Sequence, residues 1–295
     1  MVKTLLGYVK EYKKDSILSP VFVTLEVIME VIIPFLMASI IDKGVEVGNM
    51  KHVYMIGGAM IIMAMFSLTF GVLSGKYAAS ASTGFAKNLR RGMYENIQGF
   101  SFSNIDKFST AGLVTRLTTD ITNVQNAYQM IVRMCTRAPM MLICAFVLAI
   151  TISPKLAMIF LVSIPVLVTS IGLIIKSVKP RFDAMQKKID NINTVVQENL
   201  IGIRVVKSFV RQAKEKEKFK ASNDDLVNAS TRAFGLVVLN MPIMQFVVFS
   251  SVIGILWFGG NMVYAGTLTV GKLTSFMTYS FQILMSLAYI FSIIL

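Results

Sequence analysis

ENLIGIRVVKSFVRQAKEKEKF, residues 198–219, is polar and basic, yet it lies between two long apolar stretches. Upstream, Met185, Ile189, Ile192, Val196, Leu200 and Ile203 fall at spacings of three and four. That period belongs to a helix with one apolar stripe running straight into the basic stretch. Downstream, the chain turns and climbs back through Leu226 into a second apolar segment. A helix that leaves a membrane, bends at a basic tip and returns is a lever whose tip is placed to touch something soluble.

The composition fixes the surroundings of that lever. Of 295 residues, 55% are hydrophobic and 15% charged, and the mean hydropathy is +0.66. Soluble domains carry nearer a quarter of charged residues, so an ordinary soluble domain is excluded. Crossing a hydrocarbon core of roughly 30 Å takes about 20 apolar residues. Runs near 17–41, 53–73, 138–152, 156–175, 234–258 and 273–295 meet or approach that length, predicting six spans. The third is preceded by Arg133 and Arg137 and interrupted by Pro139, which membrane helices tolerate when neighbours satisfy the freed carbonyl. An even number of spans puts both termini on one side.

The net charge of +13 follows from topology rather than from nucleic acid. Lys3, Lys10, Lys13, Lys14, Lys87, Arg90, Arg91, Lys107 and the basic residues of 176–220 fall in alternate loops, as cytoplasmic loops require. Lys43, Lys51, Lys155 and Lys272 are the sparse remainder outside. No nucleic-acid partner is expected, because no reading motif accompanies the charge. Cys135 and Cys144 lie nine positions apart on one predicted helix, about 13 Å along its axis, too far for a disulfide. His52 stands alone in a short outside turn, and 1–16 lacks the apolar core of a cleavable leader.

Lysines alternate with Leu5, Leu6, Tyr8, Val9 and Tyr12 over residues 1–16. This pattern predicts an interfacial elbow helix lying flat on the inner surface. Residues 17–295 then form one membrane domain. From 53 to 99 there is no proline and no loop cluster, so one helix of about 70 Å must overshoot a bilayer of about 45 Å. Residues 99–112 turn, and a stripe through Leu113, Leu117, Ile121, Val124, Tyr128 and Ile131 carries the chain back. The fourth and fifth helices repeat that overshoot on either side of the basic bend. The stretch GTLTVGKL, 266–273, nearly matches a phosphate loop, but Leu273 stands where the magnesium-binding hydroxyl belongs. It is rejected as a nucleotide site.

Four stretches then suggest a family. IIDKGVE (40–46), FSNIDKFSTAGLVTRLTTDITNVQ (102–125), ENLIGIRVVKSF (198–209) and GTLTVGKLTSFMTY (266–279) occur in this order. Together they resemble the transmembrane domain of an ATP-binding cassette (ABC) exporter of the six-helix, domain-swapped, multidrug-exporter-like type. Asp106, Gly112, Arg116 and Asp120 hold the places of the family's first cytoplasmic loop, and Gln212 stands where a glutamate is common. The resemblance implies an all-α membrane fold of six long helices with cytoplasmic extensions and coupling helices near 101–107 and 206–214. Those helices would seat in nucleotide-binding domains through Phe102, Ile105, Asp106, Lys107, Lys207, Ser208, Phe209 and Arg211.

It also implies alternating access driven by ATP and magnesium in a longer protein, in a homodimer or heterodimer of halves. The sixth helix is expected to be cut short, and the nucleotide-binding domain to lie outside this chain, which then carries no catalytic site and no cofactor of its own. The expected cargo is an amphipathic or hydrophobic compound leaving the cytoplasm or inner leaflet of a bacterial plasma membrane, with a lipid flippase or peptide exporter as alternatives. Polar or soft residues within the spans are the cavity candidates: Glu26, Glu30, Gln129, Arg133, Arg137, Asn240, Gln245, Tyr279, Gln282, Met285 and Tyr289. Glu26 and Glu30 share a face, and either line a water-filled cavity or pair with neighbouring helices. An ion-coupled carrier using those glutamates, or a membrane scaffold, are the rivals from other classes; a carrier has no use for extensions projecting about 25 Å past the bilayer.

Overall fold

The computed structural model describes residues 2–101 and 108–294, and all regular structure among them is helical. A short α1 (Val2–Leu6) passes through a tight 3-10 segment (Gly7–Tyr12) into α2 (Lys13–Ile40). A single wide turn, Ile41–Val45, leads to α3 (Met50–Gln98). Then follow α4 (Thr110–Thr115), a wide turn Arg116–Asp120, α5 (Ile121–Ile152), α6 (Pro154–Ile201) and α7 (Ile203–Ser208). The chain closes with α8 (Gln212–Val238), α9 (Asn240–Tyr264) and α10 (Val270–Ile294). Six helical stretches are long and apolar enough to cross a membrane, as the hydropathy pattern predicts. At 49 residues, α3 is about 70 Å long.

The chain divides into two units. The first holds α1 to α5, the opening of α6, the end of α9 and all of α10. Its interior is built from small residues that let backbones approach, the usual solution where lipid removes the hydrophobic drive between helices. On α2 the buried stripe is Ser19, Val23, Val27, Val31, Pro34 and Ala38. On α3 it includes Ser74, Ala78, Ala81, Ser82 and Gly84, and the Ser19 hydroxyl donates to the Ser74 carbonyl at 3.1 Å. Ala138, Ala145 and Ala149 of α5 are buried, as are the larger Phe276, Tyr279, Ile283 and Leu284 of α10.

Pro34 cannot donate to its own helix, and α10 lends donors to the carbonyls beside it. The Tyr279 hydroxyl donates to the Val31 carbonyl at 2.8 Å, and Ser275 Oγ donates to the carbonyl of Pro34 itself. At the hairpin end Asp42 crosses to the start of α10, where its carboxylate accepts from Thr269 Oγ1 at 2.6 Å and from the Gly271 N–H at 2.7 Å. A carboxylate at a helix N-terminus meets unpaired amides and the positive end of the dipole. Any side chain at Gly271 would strike this contact, since a Cβ there comes within 2.6 Å of Asp42 Oδ1. The near-match to a phosphate loop is thus a capped helix start. It shares its partner residue with the IIDKGVE stretch.

The elbow differs from expectation. Instead of one flat helix, 1–16 breaks at Lys10, whose φ is +40°, and α2 begins at Lys13. Its apolar side packs on protein: Val9 joins a buried cluster with Phe85, Ala86, Leu89 and Ile121, flanked by Tyr8, Tyr12 and Tyr128. Asn88 Nδ2 donates to the Tyr8 carbonyl at 3.0 Å, Ser80 Oγ donates to Asp15 at 2.5 Å, and the hydroxyls of Ser16 and Tyr128 pair at 2.8 Å. Gly84 and Gly92 leave room for the rings of Tyr12 and Tyr8, which any Cβ would strike. These glycine notches hold the tyrosine rings of the elbow against α3.

The second unit holds the rest of α6, α7, α8 and the start of α9. Its basic extension is an antiparallel ladder of polar pairs between α6 and α8: Lys188 with Asp225 at 2.5 Å, Glu198 with Lys218 at 2.7 Å and Asn199 with Glu215 at 3.1 Å. Such exposed pairs each contribute about 0 to 1 kcal/mol, so the ladder sets register more than stability. Phe182 and Phe234 meet edge to face with centroids 5.4 Å apart.

Candidate functional site

Three elements of the first unit bring their polar residues together. Glu26 and Glu30, one turn apart on α2, both receive Arg137 of α5: Nη1 donates to Glu26 Oε1 and Nη2 donates to Glu30 Oε2, the latter at 2.7 Å. Glu26 is the deepest, with a side chain only 12% exposed. One guanidinium split between two carboxylates leaves each with its second oxygen free of Arg137, and Glu26 Oε2 is buried with no hydrogen-bond partner among the described residues. The triad sets two carboxyl groups against one guanidinium. Breaking a buried pair of this kind by removing one partner costs about 3 to 5 kcal/mol, because the other charge is left uncompensated.

A cleft of about 340 Å³ opens beside the triad. Glu30 and Arg137 form its charged part; Met134, Ala138 and Met141 of α5 and Gln282, Met285, Ser286 and Tyr289 of α10 complete the lining. The Gln282 carbonyl oxygen is buried with no hydrogen-bond partner among the described residues. Thioether side chains adapt to varied apolar shapes. The cleft therefore joins a polar, acceptor-rich floor to soft walls.

The cavity candidates sort accordingly. Glu30, Arg137, Gln282, Met285 and Tyr289 line this cleft, and Glu26 joins through Arg137. Tyr279 does not: it is fully buried, and its hydroxyl ties α10 to the backbone of α2, so its polar group serves a neighbouring helix and not a cavity. Gln129 turns instead to α3, 3.5 Å from Ser82 Oγ, and Arg133 lies against α3, its Nη1 3.8 Å from where a Cβ on Gly75 would be. Asn240 and Gln245 belong to the second unit; the Asn240 Oδ1 is buried with no hydrogen-bond partner among the described residues, and Gln245 is exposed. Met134, Ala138, Met141 and Ser286 were not singled out from the sequence. Met134, Met141 and Ser286 lie three or four residues from Arg137 or Gln282, so the helical face of those two residues is the signal that finds them, while Ala138 is Arg137's direct neighbour.

The second candidate surface is the basic bend. Here α7 spans Ile203–Ser208, earlier than the expected 206–214, and it ends where Val210 adopts a φ of +52°. Lys207, Ser208 and Arg211 are exposed, and Phe209 and Val210 are 72% and 77% exposed. Apolar side chains held out at the tip of a polar ladder suit a docking surface. Phe102, Ile105, Asp106 and Lys107 of the other expected coupling segment lie outside the described residues. Next to them Arg116 stands over the Phe108 ring, 5.2 Å from its centroid.

Six spanning helices, two of them drawn out into a polar ladder, and an ionisable cleft within the spans define the membrane domain of a transporter. The family is more specific. A family-wide profile of the ABC transporter transmembrane region matches residues 16–287, and the chain belongs to that family. It is 33% identical over 278 residues to the ABC transporter ATP-binding protein YfiB of Bacillus subtilis, covering 94% of this chain and 48% of that one. It is 29% identical over 286 residues to the ABC transporter ATP-binding protein Mb1304c of Mycobacterium bovis, covering 97% and 49%. A more distant relative is the ATP-dependent lipid A-core flippase of Syntrophus aciditrophicus, 27% identical over 191 residues, 65% of this chain and 32% of that one. The chain spans about half the length of the first two relatives.

Proposed function

We propose that this chain is the substrate-pathway domain of an ATP-driven exporter of amphipathic or hydrophobic compounds, operating by alternating access in a bacterial plasma membrane. The observation that carries this reading is the cleft among α2, α5 and α10, which sets methionine and tyrosine walls against a charged floor inside the spans. A purely structural ion pair has no need of an open, soft-walled volume beside it. ATP and magnesium act in a nucleotide-binding domain, to which this chain supplies docking surfaces at the basic bend and near 102–107, and a second half completes the pathway. The N-terminus and the basic ends then face the cytoplasm, as the distribution of lysine and arginine requires.

The relative named as a flippase favours a lipid cargo as the second reading. The test is ATP hydrolysis by the full-length protein in lipid vesicles, with and without amphipathic compounds, alongside uptake of the same compounds into inside-out vesicles. Stimulated hydrolysis with uptake supports export of the compound. Hydrolysis that responds only to the lipid composition moves the reading to lipid flipping, and hydrolysis indifferent to both removes it.

A further inference from the structure

The same cleft specifies the headgroup of what it binds, an inference that rests on the reading just given. Its polar atoms are unequally satisfied. Arg137 spends one N–H on each glutamate, so its charge is already answered twice over. The buried polar atoms here that have no hydrogen-bond partner among the described residues are both acceptors, Glu26 Oε2 and the side-chain carbonyl oxygen of Gln282 on α10, and Glu30 of the cleft lining keeps a second oxygen that Arg137 does not engage. Buried acceptors without donors are costly, and the triad has a carboxylate to spare. An anionic headgroup would add a third negative charge beside two carboxylates. A neutral alcohol supplies one donor and no charge. A quaternary ammonium brings the charge but no hydrogen to give.

We infer that the cleft selects amphipathic cations that carry N–H donors, protonated primary amines or amidinium groups, with the charged head on Glu30 and Gln282 and the apolar body on Met134, Met285 and Tyr289. The neighbouring polar groups Arg133 and Tyr279 lie outside the cleft lining. Arg133 lies against Gly75 of α3 rather than in the cleft, and Tyr279 is tied to the Val31 carbonyl. The discrimination resides in hydrogen bonding, because chain length and charge can be held equal between a primary amine and its trimethylated counterpart. A site built to hydrogen-bond a donor rejects the analogue lacking it more strongly than an apolar wall rejects a change in size.

The test uses the full-length protein in nanodiscs, with empty nanodiscs as the blank. Equilibrium dialysis measures binding of decylamine, decyltrimethylammonium, decanol and decyl sulfate. The expected result is decylamine bound at least tenfold more tightly than any of the other three, a preference lost in Glu30→Gln, which keeps the size and an acceptor but removes the spare charge. Gln282→Leu, which leaves the ion triad whole, should weaken decylamine while leaving decyltrimethylammonium unchanged. Equal binding of decylamine and decyltrimethylammonium overturns the donor requirement and leaves the exporter reading standing. Preference for decyl sulfate overturns the sign of the site. Binding of none of the four above the blank, together with hydrolysis that no amphipath stimulates, removes both this inference and the reading beneath it.

Discussion

Asp42→Ala is expected to loosen the start of α10 by about 2 kcal/mol. The carboxylate does the work of a helix cap from a distant part of the chain, accepting from the Thr269 hydroxyl and the Gly271 amide. Removing a capping side chain costs about 1 to 2 kcal/mol, and the loss of a negative charge at a helix N-terminus adds about 0.5 kcal/mol. At 1.4 kcal/mol per factor of ten, 2 kcal/mol is about a thirtyfold shift in the opening equilibrium. Hydrogen exchange on the full-length protein in nanodiscs reads it directly: the amides of Gly271, Lys272 and Leu273 should exchange about thirtyfold faster, and those around Ile283 should not change. Asp42→Asn keeps an acceptor and loses only the charge, so its effect should be about two- to fivefold. Unchanged exchange at Gly271 in Asp42→Ala would refute the claim that this contact holds the two ends together.

Three further outcomes follow from the same contacts. Tyr279→Phe removes the hydroxyl that donates to the Val31 carbonyl, which should cost about 1 kcal/mol and lower the thermal midpoint of the protein in nanodiscs; an unchanged midpoint means the tie is dispensable. Gly84→Val puts a side chain into the Tyr12 ring, so the N-terminal segment should lift from α3 and become sensitive to limited proteolysis near Lys10, with the spans remaining protease-resistant. Replacing Phe209 and Arg211 together by alanine should leave ATP hydrolysis by the full-length protein in place while uptake into inside-out vesicles falls; uptake and hydrolysis retained in their usual ratio would remove the bend from the coupling path.

The spans were legible because a hydrocarbon core demands about 20 apolar residues wherever it is crossed, and each of the six runs is interrupted by turn chemistry or charge. The overshoot of α3 and α6 was legible for a similar reason: the helical period continues past the apolar run without a breaker. The ionic triad was legible in its members and not in its pairing. Glu26, Glu30 and Arg137 each stood out as ionisable residues in apolar helices, but 111 and 107 positions separate the partners, and periodicity reports a face without naming what it faces. Tyr279 shows the same limit from the other side, since a polar atom in a span can serve a cavity or a neighbour's backbone, and only packing decides between them. The break inside the elbow was not legible, for a local reason. Its pattern is amphipathic, but the receiving glycines, Gly84 and Gly92, are some seventy residues or more away. Nothing at Val210 announces a positive φ, which β-branched residues strongly disfavour, so the end of α7 was not placed.

The lacing of α2 to α10 sets an order of assembly. The carbonyls of Val31 and Pro34 and the carboxylate of Asp42 find their donors on residues 227 to 248 positions later in the chain. At about 5 to 20 residues per second of synthesis, that is a wait of roughly 10 to 50 s during which the first span sits in the membrane without these partners for its two carbonyls and its carboxylate. The first helix to be inserted is thus among the last to be finished, and until residues 269–279 arrive it offers acceptors to any other donor-bearing helix in the bilayer. A nascent chain interrupted before Tyr279 is therefore expected to be a substrate for membrane quality control, however well its first five spans have inserted.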